Sequence, residues 1–236
     1  MSFPSISIVT VTYNDMDGLK KTMDSIVELN YPNYQYIVVD GGSTDGSVEL
    51  IKKATIIDNW ISEEDKGIYH AMNKAITLAT GDWLLFMNAG DIFFSADCLG
   101  EAVACIKHNT DVIYSDWLYS SESGKLAIAD KKKMNVRHQS VIYRKKLHEI
   151  YGTYVVANGV TISDFIFFLS LSNLNWVYSK QPLSICDENG VSSEVFHFYQ
   201  RIAIELVFAH RSRLSSIFIL LFHPIYRFIK RSLLSM

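Results

Sequence analysis

The chain has 236 residues, of which 49% are hydrophobic, 13% aromatic and 20% charged, with a net charge of −3. This is enough apolar material for one domain with a substantial core. Having only 12 Gly and 4 Pro argues against a fibrous or disordered chain, and the absence of a basic excess argues against a general nucleic-acid surface. The charge is uneven: residues 201–236 hold six Lys/Arg against one acid, Glu205, a net +5 that leaves −8 on residues 1–200.

The segment Met-Ser-Phe-Pro-Ser runs directly into the β-branched stretch Ile6 to Tyr13, a buried first strand with no leader-like pattern before it. Leu19, Met23 and Ile26 then recur at helical spacing. Tyr34 to Asp40 reads as a second strand, Gly41 to Gly46 as a turn-rich loop and Ser47 to Lys53 as a helix. Ile68 to Thr80 places Met72, Ala75, Ile76 and Ala79 on one helical face, and Trp83 to Met87 is the next buried strand. A helix from Ala96 to His108 and a strand from Val112 to Tyr114 continue the alternation. Cys98, Cys105 and Cys186 form no C-x-x-C pair, which predicts neither disulfides nor a zinc site and fits a reducing compartment. The longest apolar run, Ile217 to Phe222, is broken by His223-Pro224 and is too short to span a bilayer.

Regular β-α alternation predicts an α/β fold with a mostly parallel sheet flanked by helices and ligands beyond the carboxyl ends of the strands. Polar residues gather at three such ends: Thr12-Tyr13-Asn14-Asp15, Asp40-Gly41-Gly42-Ser43-Thr44-Asp45 and Asn88-Ala89-Gly90-Asp91. Asp40 is placed to accept hydrogen bonds from a ribose or a base, beside glycines that admit a ligand to the backbone. The same stretch also reads as a plain turn in which Asp45 or Ser47 caps the next helix. It is neither G-x-G-x-x-G nor a P-loop. Asp91 suits a hard divalent ion bridging a diphosphate, or equally a turn or helix cap.

In order and spacing, Ser7 to Asn14, Val38 to Gly46, Glu64 to Ala75, Gly81 to Asp91 and His138 to Arg144 resemble the family 2 glycosyltransferases of the GT-A fold, small bacterial enzymes of O-antigen, colanic acid or capsule assembly. The resemblance implies a GT-A domain over residues 1–195 and an inverting transfer of a hexosyl type. The donor would be a nucleotide sugar, UDP-linked by preference with GDP as the rival. It implies that Thr12 and Tyr13 border the nucleotide, Asp40 holds its base or ribose, and Asp65, Lys66 and Gly67 lie beside it. Asp91 ends the metal strand for Mn²⁺ or Mg²⁺, although this chain carries Asn88-Ala89-Gly90-Asp91 where many relatives have two or three acids. Asp164, opening a helix, is the implied base; Asn88, His138 and Gln139 face the donor sugar or the acceptor; His197 completes the metal shell; and 190–192 closes over the diphosphate. Asn73 and Lys74 are structural or peripheral.

Residues 196–236 read as a helical, basic and apolar extension. Leu214, Ile217, Phe218, Leu221, Phe222, Ile225, Phe228 and Ile229 form one face, accompanied by Arg211, Arg213, Arg227, Lys230 and Arg231. This face suits an anionic membrane interface, or else packs on the domain or on a second copy in a homodimer. The resemblance favours the membrane, because it implies a lipid-diphosphate-linked saccharide acceptor at the cytoplasmic membrane surface. Two other classes remain at this point. A sugar nucleotidyltransferase would need a Gly-rich, basic loop where Thr12 to Asp15 stand, and a non-catalytic scaffold would not need Asp40, Asp91 and Asp164.

Overall fold

A computed structural model of the chain describes residues 3–120, 124–187, 195–210 and 212–221. The segment 190–192 and the tail residues Arg211, Phe222, Ile225, Arg227, Phe228, Ile229, Lys230 and Arg231 lie outside the described residues.

Four strands build the parallel half of the sheet: β1 (Ile6–Thr12), β2 (Tyr34–Asp40), β3 (Asn59–Ser62) and β4 (Trp83–Phe86), in the order β3-β2-β1-β4. Every residue of β1 is buried, as a strand covered on both faces requires. Alternate side chains feed two cores. Ile6, Ile8 and Val38 pack with Leu19, Met23 and Ile26 of α1 (Met16–Val27), whereas Val9, Val11, Ile37 and Val39 pack with Met72, Ala75 and Ile76 of α3 (Ile68–Leu78). Between them, α2 (Ser47–Lys53) buries Ile51 on the first of these cores.

The second half of the sheet is mixed. It contains β5 (Ile92–Phe93), β6 (Val112–Tyr119), β7 (Leu126–Ala127), β8 (Val141–Arg144) and β9 (Trp176–Cys186), and the sheet continues β4-β8-β6-β9-β5 with β7 on β6. Here β8 runs antiparallel to both β4 and β6, β6 and β9 are parallel, and β5 is antiparallel to β9. Strand β6 runs beyond the expected Tyr114 because its pairing with β9 resumes after a register shift: Ser115 faces Ser179, yet Trp117 faces Ser184. The extra residues include Pro182, which has no N–H to give to a ladder.

Helix α4 (Cys98–Val103) is shorter than the sequence pattern implies. Cys105 and Ile106 donate to carbonyls three residues back, which tightens and ends the last turn, and Lys107 N–H is taken by Thr110 Oγ1. Two further helices, α5 (Leu147–Tyr151) and α6 (Ser163–Ser170), follow β8, and α7 (Val195–Val207) docks back on the body. Ile202 of α7 is buried, Gln200 accepts from Thr161 N–H at 3.1 Å, and the Arg201 guanidinium lies 4.6 Å from the Phe165 ring centroid. Residues 213–221 are helical, and there Leu214, Ile217, Phe218 and Leu221 are 82%, 54%, 62% and 63% exposed. No helix among the described residues is long and apolar enough to cross a membrane.

Candidate active site

The carboxyl ends of β1 and β2 lie side by side, with Thr12 opposite Asp40 and Gly41 N–H donating to Thr12 O at 2.9 Å. Asp40 is fully buried. Its carboxylate accepts from Gly42 N–H, Ser43 N–H and Ser62 Oγ at 3.1, 3.0 and 2.7 Å and also from Ser43 Oγ, so it shapes the loop from within. The first loop is locked to the second in turn. Asn14 N–H donates to Ser43 Oγ, Thr44 N–H to Asn14 Oδ1 and Met16 N–H to Asp45 Oδ2, all within 2.8 Å, which holds Asn14 at a φ of 48°.

On the outer side of this frame Tyr13 is 66% exposed. A methyl group on Gly41 would come within 2.9 Å of Asp65 Oδ2 and 3.2 Å of Tyr13 Cδ2, so bare backbone, a carboxylate and an aromatic face meet at one point. Asp65 Oδ1 is occupied by Gly67 N–H at 2.7 Å, leaving Oδ2 toward Gly41. Gly67 has a φ of 100°, which a side chain would strain, and Lys66 is exposed beside it. Such a point can stack a base and accept a hydrogen bond from it. Thr12 Oγ1 is buried without a hydrogen-bond partner.

A second group of residues converges on the 3₁₀ turn His138–Ser140, between β7 and β8. His138 Nδ1 lies 3.0 Å from Asp164 Oδ2 and Nε2 lies 2.9 Å from Asn88 Nδ2. Because an amide nitrogen only donates, Nε2 accepts and the ring proton sits on Nδ1, directed at Asp164. Tyr69 of α3 donates to Asp164 Oδ1 at 2.7 Å. The next residue of the turn, Gln139, donates to Asp91 Oδ2 at 2.6 Å, and Asp187 N–H reaches Asp91 Oδ1 at 3.3 Å. Thr22 Oγ of α1 ties the Asp91 loop down by donating to Asp91 O at 2.6 Å. The turn therefore joins Asn88, Asp91, His138, Gln139 and Asp164, while Tyr13 and Asp65 form the other end.

Burial pushes the Asp164 carboxyl up, but hydrogen bonds from the His138 ring N–H and the Tyr69 hydroxyl oppose it, and Asp164 lies below the ordinary carboxylate value. Burial raises Asp91 despite the Gln139 amide. Burial, together with the Asp164 charge, holds Tyr69 protonated. Tyr69 was not singled out in sequence; its signal was its position two residues after Gly67 in a stretch already marked. Asn73 clamps the backbone of Tyr154 through both its amide atoms, at 2.8 and 2.9 Å, and Lys74 pairs with Glu63 at 3.0 Å. Both are structural contacts.

For a divalent ion, Asp91 offers a buried carboxylate, and Asn88 Oδ1 and Gln139 Oε1 are buried oxygens without hydrogen-bond partners. Oxygen donors of this kind fit Mn²⁺ or Mg²⁺. Among the described residues no three His, Cys, Asp or Glu side chains gather as a metal cluster. Burial holds His197 below the ordinary histidine value, although the Asp164 charge opposes the shift.

A sheet with a parallel half whose strand ends bring Tyr13, Gly41 and Asp65 together, and a mixed half in which one turn bonds both Asp91 and Asp164, is that of a GT-A-type α/β protein. The chain belongs to glycosyl transferase family 2, whose model matches residues 7–163. It is 33% identical over 168 residues to a PGL/p-HBAD biosynthesis glycosyltransferase of Mycobacterium bovis, covering 65% of this chain and 64% of the relative. In fold it is similar to Staphylococcus aureus TarS, solved with UDP-GlcNAc (TM-score 0.69, 18% identity, 89% of this chain and 67% of that one). It is also similar to the mannosyltransferase PcManGT of Pyrobaculum calidifontis, solved with GDP-Man and Mn²⁺ (TM-score 0.68, 15% identity, 89% and 65%). The family match sets the nucleotidyltransferase reading aside.

Proposed function

We propose that the protein transfers a sugar from a nucleotide donor to a saccharide acceptor, with inversion, in the synthesis of a bacterial surface polysaccharide or glycolipid. The observation that carries this reading is the turn at His138 and Gln139. It holds Asp164 and Asp91 on one wall, so a base and a diphosphate-side carboxylate flank the same space. Asp164 takes the proton of the acceptor hydroxyl as that oxygen bonds to the anomeric carbon; the anomeric C–O bond breaks and its electron pair leaves on the nucleoside diphosphate. His138 and Tyr69 orient Asp164 and keep it ionised, ready to accept. Asn88 holds His138 in that tautomer and, with Gln139, faces the transferred sugar.

The nucleoside rests against Tyr13, Gly41 and Asp65, flanked by Thr12, Lys66 and Gly67. Asp40 acts on it through the loop it shapes. A UDP-sugar is the favoured donor and a GDP-sugar the rival. Asp91, with the oxygens of Asn88 and Gln139 within reach, would hold Mn²⁺ or Mg²⁺, which supplies positive charge to the departing diphosphate. Residues 1–195 carry the transfer chemistry and 196–236 face the acceptor. The exposed apolar residues of 213–221 and the basic residues around them suit attachment to the cytoplasmic face of a membrane, where a lipid-linked acceptor lies.

The purified protein, offered UDP-, GDP- and dTDP-sugars with acceptor, should release nucleoside diphosphate from one of them and form a product of inverted configuration by NMR coupling constants. No release from any donor would favour a scaffold. A retained product would remove Asp164 as the base of a single displacement.

A further inference from the structure

Arg137 immediately precedes the turn that positions both carboxylates, yet the chemistry above leaves it without a task. Its guanidinium donates to Asp187 O at 2.9 Å and lies 5.6 Å from the centroid of the Tyr119 ring. The N–H of that same Asp187 goes to Asp91 Oδ1 at 3.3 Å. One residue thus bridges the guanidinium to Asp91, placing a permanent cation at the edge of the diphosphate-side wall. Arg137 is half-buried, and among the described residues no carboxylate lies within 4 Å of it to form an ion pair. One carbonyl, a ring face and the Cys186 thiol do not use all five N–H groups of a guanidinium, so among the described residues it still has donors to spend.

Asp91 is the only acid in its loop, so this wall recruits little metal charge for a leaving group that carries two or more negative charges. A guanidinium fork matches two phosphate oxygens at once and needs no metal to do so.

We propose that Arg137 binds the donor's diphosphate directly, supplying from the chain itself charge that Asp91 alone recruits weakly through a metal. The proposal rests on the glycosyltransferase reading and adds a binding residue to that site.

The test compares a nucleoside with its diphosphate in one protein, so any general loosening of the fold cancels. Uridine and UDP, and guanosine and GDP, are titrated by calorimetry with EDTA present and again with Mn²⁺. The unaltered protein should bind its preferred diphosphate more tightly than the nucleoside even in EDTA. Arg137→Gln should leave nucleoside affinity unchanged and cut diphosphate affinity in EDTA by about 10- to 100-fold, the range for a lost charge-assisted hydrogen-bond pair. Arg137→Lys should recover part of the loss. An unchanged ratio of diphosphate to nucleoside affinity in Arg137→Gln overturns the proposal while leaving the donor site standing. If the unaltered protein binds none of the four compounds under either condition, the donor reading itself fails and this proposal falls with it.

Discussion

Asp164 has a carboxylate oxygen bonded to each of two partners that come from distant parts of the chain, Tyr69 and His138. Asp164→Asn keeps the size but cannot take a proton, so transfer should fall by about 10²- to 10⁴-fold while donor affinity persists. Near-normal transfer would exclude it as base. Tyr69→Phe removes one of the groups that hold Asp164 below its ordinary value, so the acid limb of the kcat/KM profile should move to higher pH. A purely structural tyrosine would lower activity without moving that limb. Residue types and their loops were legible from sequence because turn chemistry is local, but orientation was not. A carboxylate at a strand end followed by Gly-Gly-Ser can face a ligand or gather its own loop's N–H groups, and Asp40 does the latter. Arg137 carried no signal, since its neighbours Asp187 and Tyr119 become neighbours only when β6 and β9 pair.

The strands of the parallel half follow from the pattern because each is buried on both faces and reads as one apolar run. Those of the mixed half are harder to read: β6 and β9 depend on a register shift around Pro182 that no periodicity announces. The joint between the halves is more specific. Asn73 on α3 donates to Tyr154 O and accepts from Tyr154 N–H, fastening the helix that carries Tyr69 to the segment leading into α6, which carries Asp164. Asn73→Ala leaves both backbone groups without that partner and should cost about 1–3 kcal/mol in denaturant unfolding. It should also lower kcat more than donor affinity, because it loosens the base and not the nucleoside corner; equal losses in both would argue for a general effect on the fold.

At the scale of the molecule, stability should depend on pH through His148, which is buried, stacks on Phe167 at 4.3 Å and has both ring nitrogens engaged by Tyr143 and Gly152. Burial lowers it to about 4 from 6.5. Since the unfolded chain binds this proton first, the contribution is intact above pH 6.5 and is lost as pH falls from 6.5 to about 4, at most about 3 kcal/mol. Urea titrations at pH 7 and pH 5 should show the drop, and His148→Gln should flatten it. For the tail, removing residues 214–236 should release the protein from anionic liposomes and slow transfer to a lipid-linked acceptor while a short soluble acceptor is still used, each basic residue having contributed about 1 kcal/mol at the surface. Loss of activity on both acceptors would place the tail in a core or dimer contact instead.

The 3₁₀ turn His138–Ser140 ties two distant carboxylates to one short stretch of backbone. His138 and Gln139 are consecutive, and their side chains hold one Asp164 and the other Asp91. The spacing of the proposed base from the proposed diphosphate-side carboxylate is thus set through neighbouring residues of one short turn. On the proposed mechanism, a variant with altered sugar or acceptor preference is then expected from changes in the surrounding walls, such as the loop after β2 and the tail, and not from His138 or Gln139.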